Sequence, residues 1–520
     1  MALGTITSRI TGVFRSIAVI AAIGFGTFAD AYSIANSLPT IVYVVVVGGA
    51  INSVFVPQLV RHMKNDIDSG ISYTNKLLTL VGLILFTLTV LAVALAPQIV
   101  NIYAPNSWDE ETLRQSVFFA RLLLPQIFFY GLYTVLQQVL NSRDHFALPM
   151  FAPIINNLVM IATALLFISL VNNNLNKEFS QSEITLLGVG TTLGVMMQAL
   201  VLIPVLKLIK YKFRVDTKFK GAGLKIAGNL AFWTIGFVLV NQITYAFITR
   251  MAASVNNLEN SIGFTSYQNA FLTFILPHSV IAVSVVTALL PKFSDMANSE
   301  QITKLSESIN KASVSLVTLL LPITVIIFFI GQPLAQILFG RGAATLIEAR
   351  STGFLLSIFT IALVPFSLFY LLLRGYYALE DTKTPFYINI ILNIVNLSVA
   401  LYLFNTLDAE FKVAGLVIGY VASYVLVTPL LWIFLKRKGL NLETISFFKQ
   451  ISKPILACFV MVFSMYQIGD SFNYFVNQYS FTESFMQVIT WGVSGSFIYF
   501  VLSFIFKIKI ITDLASKVFK

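Results

Sequence analysis

The chain has 520 residues, of which 57% are hydrophobic and only 11% charged, with a formal net charge of +11. About a quarter of an ordinary soluble chain is charged, so this composition excludes a cytoplasmic enzyme, a disordered chain and a disulfide-stapled secreted domain. A mean hydropathy of +0.83 points to an all-α polytopic membrane protein.

Apolar stretches long enough to cross a bilayer, about 20 residues each, are predicted at 8–28, 31–60, 75–102, 114–140, 149–171, 184–209 and 226–250. Seven more follow at 265–292, 311–338, 350–376, 386–405, 412–435, 451–469 and 485–507, about fourteen in all. The runs are continuous, as in Ile41–Val47 and Ile154–Val171. A β-barrel would alternate instead. The first span is expected to be a retained helix, because it lacks the short apolar core and small-residue cleavage site of a leader peptide.

Charge sets the orientation. Of the 34 lysines and arginines, 26 fall near the termini and on one alternating set of loops, with seven between Lys207 and Lys225. The opposite side holds 7, including Arg114, Arg250 and Arg341, and Arg15 lies inside the first span. This split predicts a multi-pass membrane protein with an even number of spans and both termini in the cytoplasm. The net charge then reads as a positive-inside signature with some attraction to anionic lipid, and no nucleic-acid partner is expected.

An internal repeat is visible. Phe55-Val56-Pro57-Gln58 recurs as Leu289-Leu290-Pro291-Lys292, Pro97-Gln98 as Pro333-Leu334, and Asn141 to Pro149 as Leu379 to Pro385. The proline offsets of 234, 236 and 236 residues predict two six-helix lobes of the same orientation, 1–215 and 216–440. Parallel repeats of this kind are a transporter architecture. Residues 441–520 lie outside the repeat and add two helices.

Polar residues in lipid need a partner or a watery cavity. In the second span Ser33, Asn36, Ser37 and Thr40 share one helix face, followed by Gly48-Gly49 and Asn52. The seventh span carries Asn241, Gln242, Tyr245, Thr249 and Arg250, and the eighth opens with Tyr267, Gln268 and Asn269. These three stretches are read as cavity-facing. Asn156 and Asn157 in the fifth span, and Asn389, Asn393 and Asn396 in the eleventh, are read as interhelical hydrogen-bonding groups.

Arg9 and Arg15 bracket Gly12 in the first span. Six residues turn a helix by about 600°, so the two side chains stand about 120° apart and both border only a wide cavity. Snorkelling to the interface is the simple account of Arg9. Anion binding is the functional one, because a guanidinium fork matches phosphate. For Asp30 three roles stay open: pairing with an arginine, binding a cation, or lying at the outer surface.

Other chemistry is sparse. No Walker sequence is present, and no His/Asp/Glu cluster has metal or acid–base spacing. Cys458 is alone, and His62, His145 and His278 are scattered. Neither a catalytic residue, a metal site nor a cofactor is expected.

Several motifs carry a family resemblance. Ser8-Arg9-Ile10-Thr11-Gly12-Val13-Phe14-Arg15, Phe28-Ala29-Asp30-Ala31-Tyr32, Gly49-Ala50 and Phe55-Val56-Pro57 resemble the N-terminal signature of the MurJ (MviN) family. Leu276-Pro277, Thr287 to Pro291, Leu338-Phe339-Gly340-Arg341-Gly342 and Tyr377 to Pro385 are similar to its later signatures. That family comprises lipid II flippases of the multidrug/oligosaccharidyl-lipid/polysaccharide exporter superfamily.

The resemblance covers nearly the whole chain. It implies fourteen helices, the last two forming a lipid-tail groove, and movement of the undecaprenyl-pyrophosphate-linked peptidoglycan precursor to the outer leaflet by alternating access. The matching cavity residues are Arg9, Arg15 and Asp30. Asn36, Asn52, Gln268 and Asn269 are expected to hydrogen-bond the head, and Ser33 and Gln242 to line the same cavity. Membrane potential or a monovalent cation would drive the return step.

Departures exist. The family's second-helix Arg-Arg pair and glutamate read Tyr43, Val44 and Gly48, its aspartate after the second arginine reads Ser16, and its eighth-helix Asp-Arg pair reads Phe271-Leu272. The seventh and eighth helices look more like the actinobacterial branch, with Arg250 expected to supply part of the missing positive charge. The rival readings are a polysaccharide-lipid flippase or drug/cation antiporter of the same superfamily, and a scaffold that docks cell-wall synthesis proteins on the Lys207–Lys225 loop.

Overall fold

The fold is described from a computed structural model. It covers all residues except 1, 46–61, 63–65, 67, 69, 144, 172–178, 209–210, 212, 218–227, 257, 259–260, 472–479 and 519–520. Among the described residues the regular structure is helical throughout. The helices are α1 (Ala2–Ile23), α2 (Thr27–Tyr43), α3 (Ile71–Ala94), α4 (Ala96–Tyr103), α5 (Glu110–Leu123), α6 (Gln126–Asn141), α7 (Ala147–Leu170), α8 (Gln181–Leu200), α9 (Leu202–Leu208) and α10 (Gly228–Ser254). Then come α11 (Phe264–Pro277), a π-helical turn at His278–Ala282, α12 (Val283–Asn298), α13 (Ile302–Phe339), α14 (Leu346–Thr360), α15 (Leu363–Ala378), α16 (Lys383–Thr406), α17 (Lys412–Arg437), α18 (Thr444–Ser471), α19 (Phe481–Ile505) and α20 (Lys509–Val518).

Among the described residues, eleven helical stretches are long and apolar enough to cross a membrane, and twelve with the α14–α15 pair, which bends by 49°. The protein is therefore multi-pass. Helices α1 and α2 overlap the first two expected stretches, the second as far as Tyr43, and are not among those twelve. Three even-numbered spans begin with a capping box, in which a hydroxyl takes the N3 amide and a glutamate returns to the cap. These boxes are Ser180 with Glu183, Thr345 with Glu348, and Ser480 with Glu483.

The chain divides into two compact units. The first holds Met1–Asn257, Gly263–Thr265 and Gly342–Ala344, and the second the rest. The first unit thus takes in α10, a helix that the repeat arithmetic assigns to residues 216–440. In this unit α1 packs on α7, α2 on α5, and α7 on α8. Gly190 and Gly194 of α8 face α7, where a Cβ at Gly194 would stand 2.5 Å from the Asn156 side-chain oxygen. Asn157 donates to the Ser8 carbonyl and the Thr11 hydroxyl, locking α7 to α1 beside Gly12.

In the second unit α13 is the spine, packing on α14, α15, α18 and α19. Helices α16 and α17 pair through Gly415 and Gly419, where a Cβ at Gly419 would stand 2.8 Å from the Asn396 carbonyl. Both lobes therefore join their fifth-and-sixth-type helices through a small-xxx-small stripe, the packing that lets membrane helices approach closely. At the end of α17, Lys438 lies 2.6 Å from Asp381 in the α15–α16 loop. Asp381 also accepts from the Thr384 amide.

Candidate functional site

The first helix supplies two uncompensated cations. Arg9 is exposed and Arg15 half-buried. Among the described residues the ion pairs are His62–Asp66, Arg114–Glu111, Lys311–Glu307 and Lys438–Asp381, so no described carboxylate neutralises either arginine. Arg15 lies close enough to Tyr32 and Tyr130 for its charge to act on both hydroxyls. Those tyrosines belong to a polar seam. Tyr32 shares a 2.9 Å hydrogen bond with Thr191, Tyr130 bonds Thr40, and Tyr43 donates to Thr134 at 2.8 Å. An unpaired cation at membrane depth is costly unless it faces water or an anion. Arg15 thus brings a positive charge that no described carboxylate neutralises to this polar seam.

Asp30 has a different setting. It is 0% exposed and its described partners are donors from a distant stretch of chain. Its carboxylate accepts from the Phe264 amide at 3.0 Å, the Thr265 amide at 2.7 Å and the Asn256 side chain at 2.8 Å. Phe264 and Thr265 open α11, whose first amides have no partner within the helix. Asp30 therefore caps α11 from outside, and its charge complements the positive end of the helix dipole. Gly263 is required here, because a Cβ would run into the Asp30 carboxylate. Next to it, Ser33 is buried and accepts from the Thr265 hydroxyl at 3.0 Å.

The glycine of the Phe-Gly-Arg-Gly signature also has a physical role. Gly342 has φ +69° and lies against the Ala21 carbonyl at the end of α1, where a Cβ would collide. Ala343 donates its amide to that carbonyl at 2.8 Å.

The remaining expected residues are dispersed. Asn36 is half-buried on α2, Gln268 is half-buried on α11, and Asn269 is buried. Asn52 and the Gly48-Gly49 pair lie outside the described residues. Gln242 and Arg250 share a cavity of ≈ 510 Å³ in the first unit with Ile102, Tyr103, Leu239, Ile243, Ala246 and Phe247. The opposite face of α10 points inward. There Tyr245 bonds Ser37 and meets the rings of Tyr103 and Phe264. Where the family's eighth-helix charges are missing, Phe271 sits in an aromatic cluster with Phe274, Phe359 and Tyr420, centroids 5.7–5.8 Å apart.

The second unit holds a larger cavity of ≈ 730 Å³. Its walls are Val317 and Leu321 of α13, Val364, Leu368 and Leu372 of α15, Val425 and Trp432 of α17, and Phe447, Ile451 and Ile455 of α18. Lys436, Arg437 and Thr444 stand at one end. Trp432 donates its indole N–H to Thr444 at 3.0 Å. The lining is almost wholly apolar, as suits a hydrocarbon chain.

Comparison with known proteins decides the family. The family model for the lipid II flippase MurJ matches residues 19–508. The chain belongs to the MurJ family. A probable lipid II flippase MurJ of Haemophilus influenzae is 26% identical over 511 residues, covering 93% of this chain and 94% of the relative. One of Buchnera aphidicola subsp. Baizongia pistaciae is 28% identical over 393 residues, covering 75% and 74%. In fold, the chain is similar to a lipid II flippase MurJ in an inward closed conformation, with TM-score 0.76, 22% identity and 97% and 98% of the two chains covered. An inward-facing multidrug resistance MATE transporter of the MOP superfamily follows at TM-score 0.64 and 14% identity, covering 85% and 100%. MurJ membership thus rests on the matched length, and the shared fold extends to MATE transporters.

Proposed function

We propose that this chain is a lipid II flippase, carrying the undecaprenyl-pyrophosphate-linked precursor from the inner to the outer leaflet of the cytoplasmic membrane by alternating access. The observation that carries the assignment of roles is the pair Arg9 and Arg15, unneutralised by any described carboxylate and backed by the tyrosine–threonine seam. A guanidinium offers five N–H donors in a planar fork, and bidentate pairing with phosphate oxygens is its strongest polar contact. In this reading the two arginines bind the pyrophosphate, while Asn36, Asn52, Gln268 and Asn269 hydrogen-bond the sugar-peptide head. The prenyl tail takes the apolar cavity walled by α13, α15, α17 and α18. Both termini lie in the cytoplasm, and membrane potential or a monovalent cation drives the return step. Burial of Asp30 as a helix cap weighs against the drug/cation antiporter, which needs an acid open to its cargo.

The test is lipid II exposure in cells depleted of this protein, read with an added enzyme that cleaves lipid II only at the outer face. Exposure should collapse on depletion. It should return with the wild type, return in part with Arg15→Lys, and stay at least tenfold lower with Arg15→Ala at equal expression. Normal exposure with Arg15→Ala would overturn the arginine's role. Normal exposure without the protein would overturn the flippase reading.

A further inference from the structure

The stretch of α10 that lines its cavity is about as long as one membrane leaflet is thick. Leu239, Ile243, Ala246 and Arg250 follow one another at i, i+4, i+7 and i+11, a single face of the helix. The face is apolar and open for most of its length, with Ile243 57% and Phe247 53% exposed. It runs eleven residues from Leu239 to Arg250, about 16 Å at 1.5 Å per residue. Half of a hydrocarbon core of about 30 Å is about 15 Å. With Leu239 near the bilayer midplane, the Arg250 guanidinium therefore reaches the level of the lipid phosphates, on the side opposite the lysine-rich loops.

Arg250 is held at the rim. It donates to the Asn101 carbonyl at 2.9 Å and to the Asn106 side-chain oxygen at 2.5 Å. Both partners are neutral, so its charge is not cancelled, and the fork keeps further N–H donors. We propose that this groove is a binding site for one anionic glycerophospholipid, with an acyl chain along Leu239, Ile243 and Phe247 and the phosphate on Arg250. A bound lipid of this kind would wedge against both α10 and the α4–α5 connection. The site is separate from the tyrosine seam and from the large cavity of the second unit. It holds whatever the protein transports.

The test uses the full chain in vesicles, with Phe247→Trp as a fluorescent reporter, read as the difference from the parent protein with its four native tryptophans, and brominated phosphatidylglycerol or phosphatidylcholine as contact quenchers. A basic residue at the membrane surface favours an anionic lipid by about fivefold. Quenching of the introduced indole should therefore reach half-maximum at about fivefold lower mole fraction of phosphatidylglycerol than of phosphatidylcholine. Arg250→Gln should abolish the preference and Arg250→Lys keep most of it, with unchanged thermal unfolding showing that the fold survives. Equal quenching by the two lipids in the reporter protein with Arg250 intact would overturn the proposal, leaving ordinary boundary lipid. Displacement of the brominated lipid by undecaprenyl phosphate at a lower mole fraction than by unlabelled phosphatidylglycerol would also overturn it, assigning the groove to polyprenyl lipids.

Discussion

Replacing Asp30 by alanine leaves the Phe264 and Thr265 amides and the Asn256 side chain without their acceptor. Each buried donor left unsatisfied costs about 1–3 kcal/mol. Even if water recovers much of this, about 2 kcal/mol remains, which is about a 30-fold change in the local opening equilibrium. Asp30→Asn keeps one acceptor oxygen and loses the charge at the helix terminus, a change of about 1 kcal/mol or about fivefold. Hydrogen–deuterium exchange reads this directly. The Phe264 and Thr265 amides should exchange about 30-fold faster in Asp30→Ala and about fivefold faster in Asp30→Asn. The Glu348 amide, capped by Thr345, serves as an unaffected standard. Unchanged exchange at 264 and 265 in both variants would refute the cap.

The Asp381 latch predicts a pH dependence. Burial raises the Asp381 carboxyl, but Lys438 and the Thr384 bonds outweigh it and hold the group below its ordinary value of 3.8. A depressed carboxylate stabilises the fold above its unfolded pKa and loses that contribution as pH falls through the folded value. Asp381→Asn should therefore flatten the acid limb of the stability curve below about pH 4, as read by thermal unfolding in detergent, and leave its slope near neutrality unchanged. For helix packing, Gly419→Val should cost at least the 1–3 kcal/mol typical of overpacking, because the added carbon meets the Asn396 carbonyl and the Ala400 amide nitrogen. Gly492→Ala, with nothing within 4 Å, should be silent, and parallel unfolding curves compare the two.

Much of the fold was legible because span length and continuous hydropathy are local. The helices fall on the stretches that the apolar runs mark, and the capping boxes at Ser180, Thr345 and Ser480 begin three of them. The candidate arginines were also legible, since a cation inside an apolar run stands out. Asp30 was not. Its partners lie more than 220 residues away, and no periodicity links a carboxylate to the amides it will cap. The placement of α10 in the first unit was hidden for the same reason. Proline offsets count connectivity, whereas Tyr245 and Arg250 tie that helix to residues of the first 110. The glycine stripes at 190/194 and 415/419 were written plainly in the sequence, as pairs four residues apart that a search for close-packing motifs would find.

Helix α13 has a mechanical consequence. Its 38 residues make a rod about 57 Å long, nearly twice the thickness of a hydrocarbon core of about 30 Å. Pro322 and Pro333 each remove a rung from its backbone ladder. They are eleven residues apart, which brings them back to the same side of the helix. A rod weakened twice along one edge flexes in one plane and resists sideways load. Val317 and Leu321 of this rod form one wall of the large apolar cavity, so bending the rod changes the cavity's width. A thinner or thicker bilayer, by bending that rod, would narrow or open the cavity.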